Sequence, residues 1–303
     1  MKRTKYGGWK NCIRLTNGKI ELIATTDVGP RVIRLGFVGG RNLFKEYREQ
    51  LGKTGGSKWR PYGGHRFWHA PEVDPRTYAP DNEKVDFKMR GGTLFLAQEV
   101  EPTTGIEKQL EISLDANKNH VRILHRMANR NAWAIEAAPW ALSVMTTRGV
   151  AILPQEEYRP HPQYLLPARP LVLWHYTDMS DPRFTWGEKY IQLRQDPRAK
   201  TKNKLGMRNT LGWAAYALDG DVFIKRFPFD PAASYVDFGC NAECYTDPDI
   251  IEIESLGGLS RIEPGGCVEY VEHWYLFRAD IPSDEKGIDA RLLPLVGKAR
   301  PGK

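Results

Sequence analysis

Short β-branched runs, broken every few residues by polar turns, constrain this chain more than any other feature. The stretches 19–25 (KIELIAT) and 31–37 (RVIRLGF) flank the turn Thr26-Asp27-Val28-Gly29-Pro30. Runs at 85–90, 93–100, 108–114, 120–126 and 140–146 continue the series. Gly91-Gly92 separates two of them as a hairpin turn does, and residues 115–119 (DANKN) read as a second hairpin loop. Later runs at 211–217, 222–227, 235–240, 250–256 and 268–278 have the same character. Close, regular spacing of short runs with polar turns predicts an all-β sandwich or barrel.

Helix signals are few. The stretch 42–50 (NLFKEYREQ) predicts two helical turns with Asn42 at or near the cap, and 283–292 (SDEKGIDARL) predicts a short C-terminal helix. With 21 Pro and 28 Gly, long helices are disfavoured. Residues 154–170 carry Pro154, Pro160, Pro162, Pro167 and Pro170 and read as a long loop, which inside one domain is usually functional or mobile. No repeat or linker divides the chain. It reads as a single domain over residues 1–303, with a core at about 11–280 and peripheral basic ends.

Composition narrows the class. Hydrophobic residues make up 41% and aromatics 11%, enough for a sizeable core. No apolar run is long enough for a membrane-spanning helix, and the basic start MKRTKYGGWKNCIRL has no apolar leader segment. Cys12, Cys240, Cys244 and Cys267 complete no zinc pattern and read as free, mostly buried thiols of a reducing compartment, so a cytoplasmic location is expected. The formal charge is +7, which favours anionic partners. Without an RNA-binding signature, a zinc finger or a basic helix, nucleic acid is not an expected partner, and neither is a membrane. The run at 200–204 looks like a solvated loop.

The densest chemistry lies at residues 63–72 (GGHRFWHAPE): His65, Arg66, Phe67, Trp68, His69 and Glu72 behind Gly63-Gly64. Aromatic faces beside charged hydrogen-bonding groups suit a sugar, with its apolar C–H faces and rim of hydroxyls. The plainer alternative is a strand whose aromatics fill a core. If the segment is extended, His65 and His69 share one face and Arg66 and Trp68 the other. His65, His69 and Glu72 have only loose metal-ligand spacing, and no metal or other cofactor is expected.

The order of features resembles the galactose mutarotase-like superfamily of aldose epimerases, in particular a bacterial branch of it. Four segments carry the resemblance: GPRVIRL at 29–35 followed by GGRNL at 39–43; GGHRFWHAPE at 63–72; NRNAWAIEAAPWALSVM at 129–145; and IEIESLGGLSRIEPGGCVEYVE at 251–272. The resemblance implies a β-supersandwich of two large packed antiparallel sheets with a sugar cleft on one face. It also implies ring-opening acid–base chemistry at an anomeric carbon, with a glutamate as base and a histidine as acid.

Glu254 stands where that base is expected, before the Pro264-Gly265 turn, and alternation puts Glu252 on the same face. Two such carboxylates repel, which raises one pKa toward a range suited to a base. At the position of the central histidine this chain has Ala137-Ala138-Pro139-Trp140, and no histidine occurs between His125 and His161. His65 and His69 are therefore the substitute acids, with His161 and His175 behind them. Arg66 and Glu72 are expected to hold hydroxyls or an anionic group, and Trp68, Trp140, Trp174 and Trp274 are the candidates for a stacking face. Lys204 precedes a strand and reads either as a cleft residue or as a solvated loop lysine; His273 reads as a core histidine. Three functions follow: an aldose or sugar-phosphate epimerase (an isomerase), a noncatalytic carbohydrate-binding or sensing protein, or a lyase of uronic acids on the same scaffold. The expected partner is a sugar or an anionic sugar derivative.

Overall fold

A computed structural model describes residues 2–301; Met1, Gly302 and Lys303 lie outside the described residues. Two antiparallel sheets face each other. The first runs Lys2–Tyr6, Trp9–Thr16, Ile20–Thr25, Arg31–Phe37, Gly64–Ala70, Ile135–Met145, Ile251–Leu256, Ala242–Thr246, Asn203–Met207 and Leu171–Leu173, with Ser260–Ile262 paired to the start of Ile135–Met145. The second runs Phe184–Trp186, Tyr190–Arg194, Val150–Pro154, Trp213–Leu218, Asp221–Arg226, Cys267–Arg278, His120–Asn129, Ile106–Leu114, Thr93–Ala97 and Asp86–Arg90.

Alternation along these strands sends every second side chain into the space between the sheets. Phe67, Ala141, Leu205, Cys244 and Ile253 of the first sheet meet Ile123, Tyr216, Phe223, Trp274 and Leu276 of the second in one buried cluster. The outer face of the second sheet is covered by two short helices, Glu285–Arg291 and Leu293–Lys298, through Ile288, Leu292 and Val296. Asp284 caps the first of these by accepting from the Gly287 amide, as the sequence predicts for 283–292. The fold thus extends beyond 11–280, because the basic start forms an edge strand and the C-terminal helices close one face. The outer face of the first sheet keeps an uncovered central region, which is the site described below. The prolines of 155–170 lie in an exposed loop.

Two predicted elements are different. Residues 42–50 form no helix. Phe44 bridges to Met145 and Glu46 to Gly63, and the Asn42 side chain accepts from the Leu35 and Phe44 amides while donating to the Ile33 carbonyl. Burial of Leu43 and Phe44 against the core outweighs the weak propensity of two isolated turns. Residues 235–240 form no strand either. Val236–Gly239 is a tight turn in which Asp237 (φ 50°) and Phe238 (φ 56°) are left-handed.

Candidate functional site

The strands Gly64–Ala70, Ile135–Met145, Ile251–Leu256, Ala242–Thr246 and Asn203–Met207 are neighbours at the centre of the first sheet. Their register sets the site. Arg66 pairs with Leu142, Leu142 with Glu254 and Glu254 with Glu243. One step along, Glu252 pairs with Tyr245 and Tyr245 with Lys204. Because the side-chain period is two, all these groups leave the sheet on its outer face. All but Glu243 line an open cavity of about 520 Å³ with Trp59, Trp68, Glu72, Tyr78, Trp140 and Tyr176.

Glu254 is buried, and its two oxygens are treated differently. Oε2 accepts the Trp140 indole N–H at 2.9 Å and lies 3.4 Å from Lys204 Nζ. Oε1 has no hydrogen-bond partner among the described residues. Lys204 also pairs with Glu243 at 2.7 Å and sits over the Trp140 and Trp174 rings, 4.9 and 4.5 Å from their centroids. Burial alone would lower its pKa, but Glu243 and then Glu254 hold the ammonium well above the ordinary lysine range. Lys204 is therefore a buried cleft residue on a strand, not a solvated loop lysine. The sequence signal for it was the apolar alternation of Leu205 and Met207 beside it, obscured by the lysines at 200 and 202.

Arg66 pairs with Glu252 at 2.9 Å and stacks on Trp68, 4.4 Å from the ring centroid. Burial raises the Glu252 pKa, Arg66 opposes that, and Glu254 adds to it. Trp59, Trp68 and Trp140 form a row at 5.3–5.4 Å, Trp68 edge to face with Trp140 and tilted against Trp59, with Tyr78 edge-on to the first two. Glu72 stands at the rim, bonded to the Tyr78 hydroxyl. Arg66, Trp68, Glu72, Trp140 and Glu254 are thus brought together on one wall.

Three expected site residues are not. His65 and His69 occupy the opposite face of the Gly64–Ala70 strand and are fully buried between the sheets, so neither reaches the cavity. The pleat decides this: whichever face carries Arg66 and Trp68 cannot carry the two histidines. His65 bonds Ser143 at 3.0 Å and His125 at 2.8 Å, and His69 contacts Glu101 at 3.3 Å. Trp274 is a core residue packed on Phe44, Phe223 and His65. His161 and His175 are exposed and do not line the cavity either. His273 is half-buried and stacks on His120. No histidine lines the cavity among the described residues.

His65, His69 and Glu72 do not converge, so that ligand set is not formed. One other group of three, His65, His125 and Glu272, has donor atoms within 4.8 Å of one another. Glu272 is already engaged there: Lys225 (2.7 Å) and Ser255 hold Oε1, and the Trp274 N–H holds Oε2 at 2.8 Å. Lys225 further donates to the Ala141 and Ile253 carbonyls. The cation of this cluster is a lysine, and the network reads as a polar tie between the sheets.

No protein-family model and no curated protein sequence matches the chain. Solved structures do. A galactose mutarotase-like protein from Lactobacillus casei superposes with a TM-score of 0.57 at 9% identity, over 88% of this chain and 100% of that one. A candidate aldose 1-epimerase from Klebsiella pneumoniae gives 0.61 at 11% identity, over 98% and 86%. A TPR-domain containing protein from Parabacteroides distasonis gives 0.59 at 14% identity, and there this chain spans 48% of the other's length. At such identities the likeness is one of architecture alone: two large packed antiparallel sheets. The chain has the galactose mutarotase-like β-supersandwich fold.

Proposed function

We propose that this protein binds a neutral carbohydrate in the Trp-lined cleft and acts at its anomeric centre, as an aldose epimerase does, with Glu254 as the base. The observation that carries the reading is the free Oε1 of Glu254, a buried carboxylate oxygen without a protein partner beside a row of indole rings. A sugar hydroxyl would satisfy that oxygen while its C–H face lies on the rings. The carboxylate's other oxygen is fixed by Trp140, so the acceptor is oriented before substrate arrives.

The charge balance favours a neutral sugar over a uronic acid. Four carboxylates (Glu72, Asp247, Glu252, Glu254) line the cavity against three cations (Arg66, Lys202, Lys204). Arg66 and Lys204 are both spent on carboxylates, so neither is a free clamp for an anion. The overall positive charge is not concentrated here.

A histidine acid has no counterpart on the cleft wall. Lys204, the cation nearest Glu254, is the group placed to donate a proton to a ring oxygen. Its ion pairs make it a weak acid, and this favours a second reading, carbohydrate binding without turnover. One experiment separates the two. Polarimetry of freshly dissolved α-anomers of neutral aldoses, run beside calorimetric titration, is compared for wild type and Glu254→Gln. Accelerated mutarotation abolished by Glu254→Gln supports catalysis. Binding with no acceleration by wild type supports the second reading, and absence of both overturns the proposal.

A further inference from the structure

Among the described residues, the turn Val236–Gly239 alone places two consecutive non-glycine residues in the left-handed region. Asp237 (φ 50°, ψ 54°) and Phe238 (φ 56°, ψ 30°) are consecutive left-handed residues, followed by Gly239 at φ 95°. A left-handed conformation costs a non-glycine residue about 1–2 kcal/mol, and such outliers persist where the surroundings impose them and function uses them. The Phe238 residue is also 93% exposed, the most open of the large apolar residues.

The turn is seated at the cleft. Val236 packs against the cluster that contains Trp68 and Trp140. Cys240, at its end, lies over the cleft-facing side of Gly206, where a Cβ would come within 2.6 Å of the Cys240 sulfur and 3.1 Å of the Trp174 ring. Asp237 lies in the field of Glu243, Lys204, Glu72 and Glu254. Val236 and Cys240 thus hold the turn beside the cleft, and Phe238, which does not itself line the cavity, is exposed next to it. The cavity, at about 520 Å³, falls within the 300–1,000 Å³ range of pockets that bury ligands of drug size, larger than a single sugar ring.

We propose that Phe238 is the stacking platform of a second carbohydrate subsite, and that the protein takes a neutral disaccharide or longer glycan rather than a free monosaccharide. This rests on the cleft being a carbohydrate site. The first sugar unit lies on the Trp68–Trp140 row against Glu254, and the next leaves over the rim with its apolar face on Phe238. The strained turn fixes the ring in the open position, where an ordinary turn would let it fold onto the protein.

The test is calorimetric titration of wild type, Phe238→Ala and Phe238→Gly with glucose, galactose and mannose and with maltose, cellobiose and lactose. The expected result is that at least one disaccharide binds more tightly than its monosaccharide, and that both variants weaken the disaccharide about three- to tenfold while leaving monosaccharide binding unchanged. Phe238→Gly should also raise the melting temperature, which shows that weakened binding is not a folding defect. Equal effects on mono- and disaccharides, or none on either, overturn the subsite. Failure of wild type to bind any of the six overturns the carbohydrate reading itself.

Discussion

Trp140 donates its indole N–H to Oε2 of Glu254 over 2.9 Å, across two strands that are hydrogen-bonded neighbours in the first sheet. The pair fixes one oxygen of a carboxylate that is only 1% exposed and leaves the other without a hydrogen-bond partner among the described residues. A hydrogen bond to an ionised group contributes about 1.5–3 kcal/mol. Trp140→Phe keeps the ring and removes the donor, so it should lower stability to urea by an amount in that range. A loss under 0.5 kcal/mol would show that Glu254 does not depend on the indole.

Lys204 is the shared counterion of Glu243 and Glu254. Lys204→Met leaves two buried carboxylates without it. Removing one member of a buried ion pair typically costs about 3–5 kcal/mol, and urea unfolding should register a loss of that order. Adding Glu243→Gln should restore part of it. A Lys204→Met protein as stable as wild type would contradict the ion-paired arrangement.

Arg66 and Glu252 form the parallel pair at the other side of the cleft. Because Arg66 also stacks on Trp68, Arg66→Lys is not conservative: lysine lacks both the planar fork and the stacked face. A double-mutant cycle over Arg66→Met and Glu252→Gln should give a coupling energy of about 1–3 kcal/mol. A coupling near zero would mean that the two side chains do not meet in solution.

The inter-sheet network predicts an acid-sensitive fold. Burial lowers the His125 pKa to about 4, with Glu272 and the Tyr270 carbonyl opposing it, and burial pushes His65 well below its usual value, aided by His125 and Lys225. Between an unfolded value near 6.5 and a folded value near 4, the unfolded chain binds more protons, so stability rises with pH. It is therefore complete above pH 6.5 and lost as pH falls toward 4. Each pH unit is worth about 1.4 kcal/mol per such histidine, so His125 alone should cost about 2 kcal/mol between pH 6.5 and 5. His65, Phe67, Lys225, Tyr270 and Glu272 surround it. Urea midpoints that do not change from pH 7 to 5, or a His125→Gln variant with an unaltered pH slope, would refute this.

The local sequence carried much of the fold. Period-two runs and Gly- or Asn-rich turns mark most strands of both sheets, and Asp284 with Gly287 marks the start of the C-terminal helix. Alternation also settled that Glu252 and Glu254 share a face, and that Arg66 and Trp68 stand opposite His65 and His69, because the pleat has no other solution. Parity gives two sets but does not say which is inside. That depended on long-range strand order: Ile135–Met145 beside Gly64–Ala70, and Ile251–Leu256 beside Ile135–Met145, bring Trp140 and Glu254 to the face of Arg66 and leave His65 facing His125 and Glu272 and His69 facing Glu101. The same long-range pairing made Lys204 a cleft residue, sent Trp274 into the core and unwound the helix read at 42–50, since burial of Phe44 is worth more than two turns of helix. Residue order therefore determined the strands and their two faces. Only the packing of one sheet on the other, through apolar area that no single segment can bury alone, decided which face became the core and which the cleft.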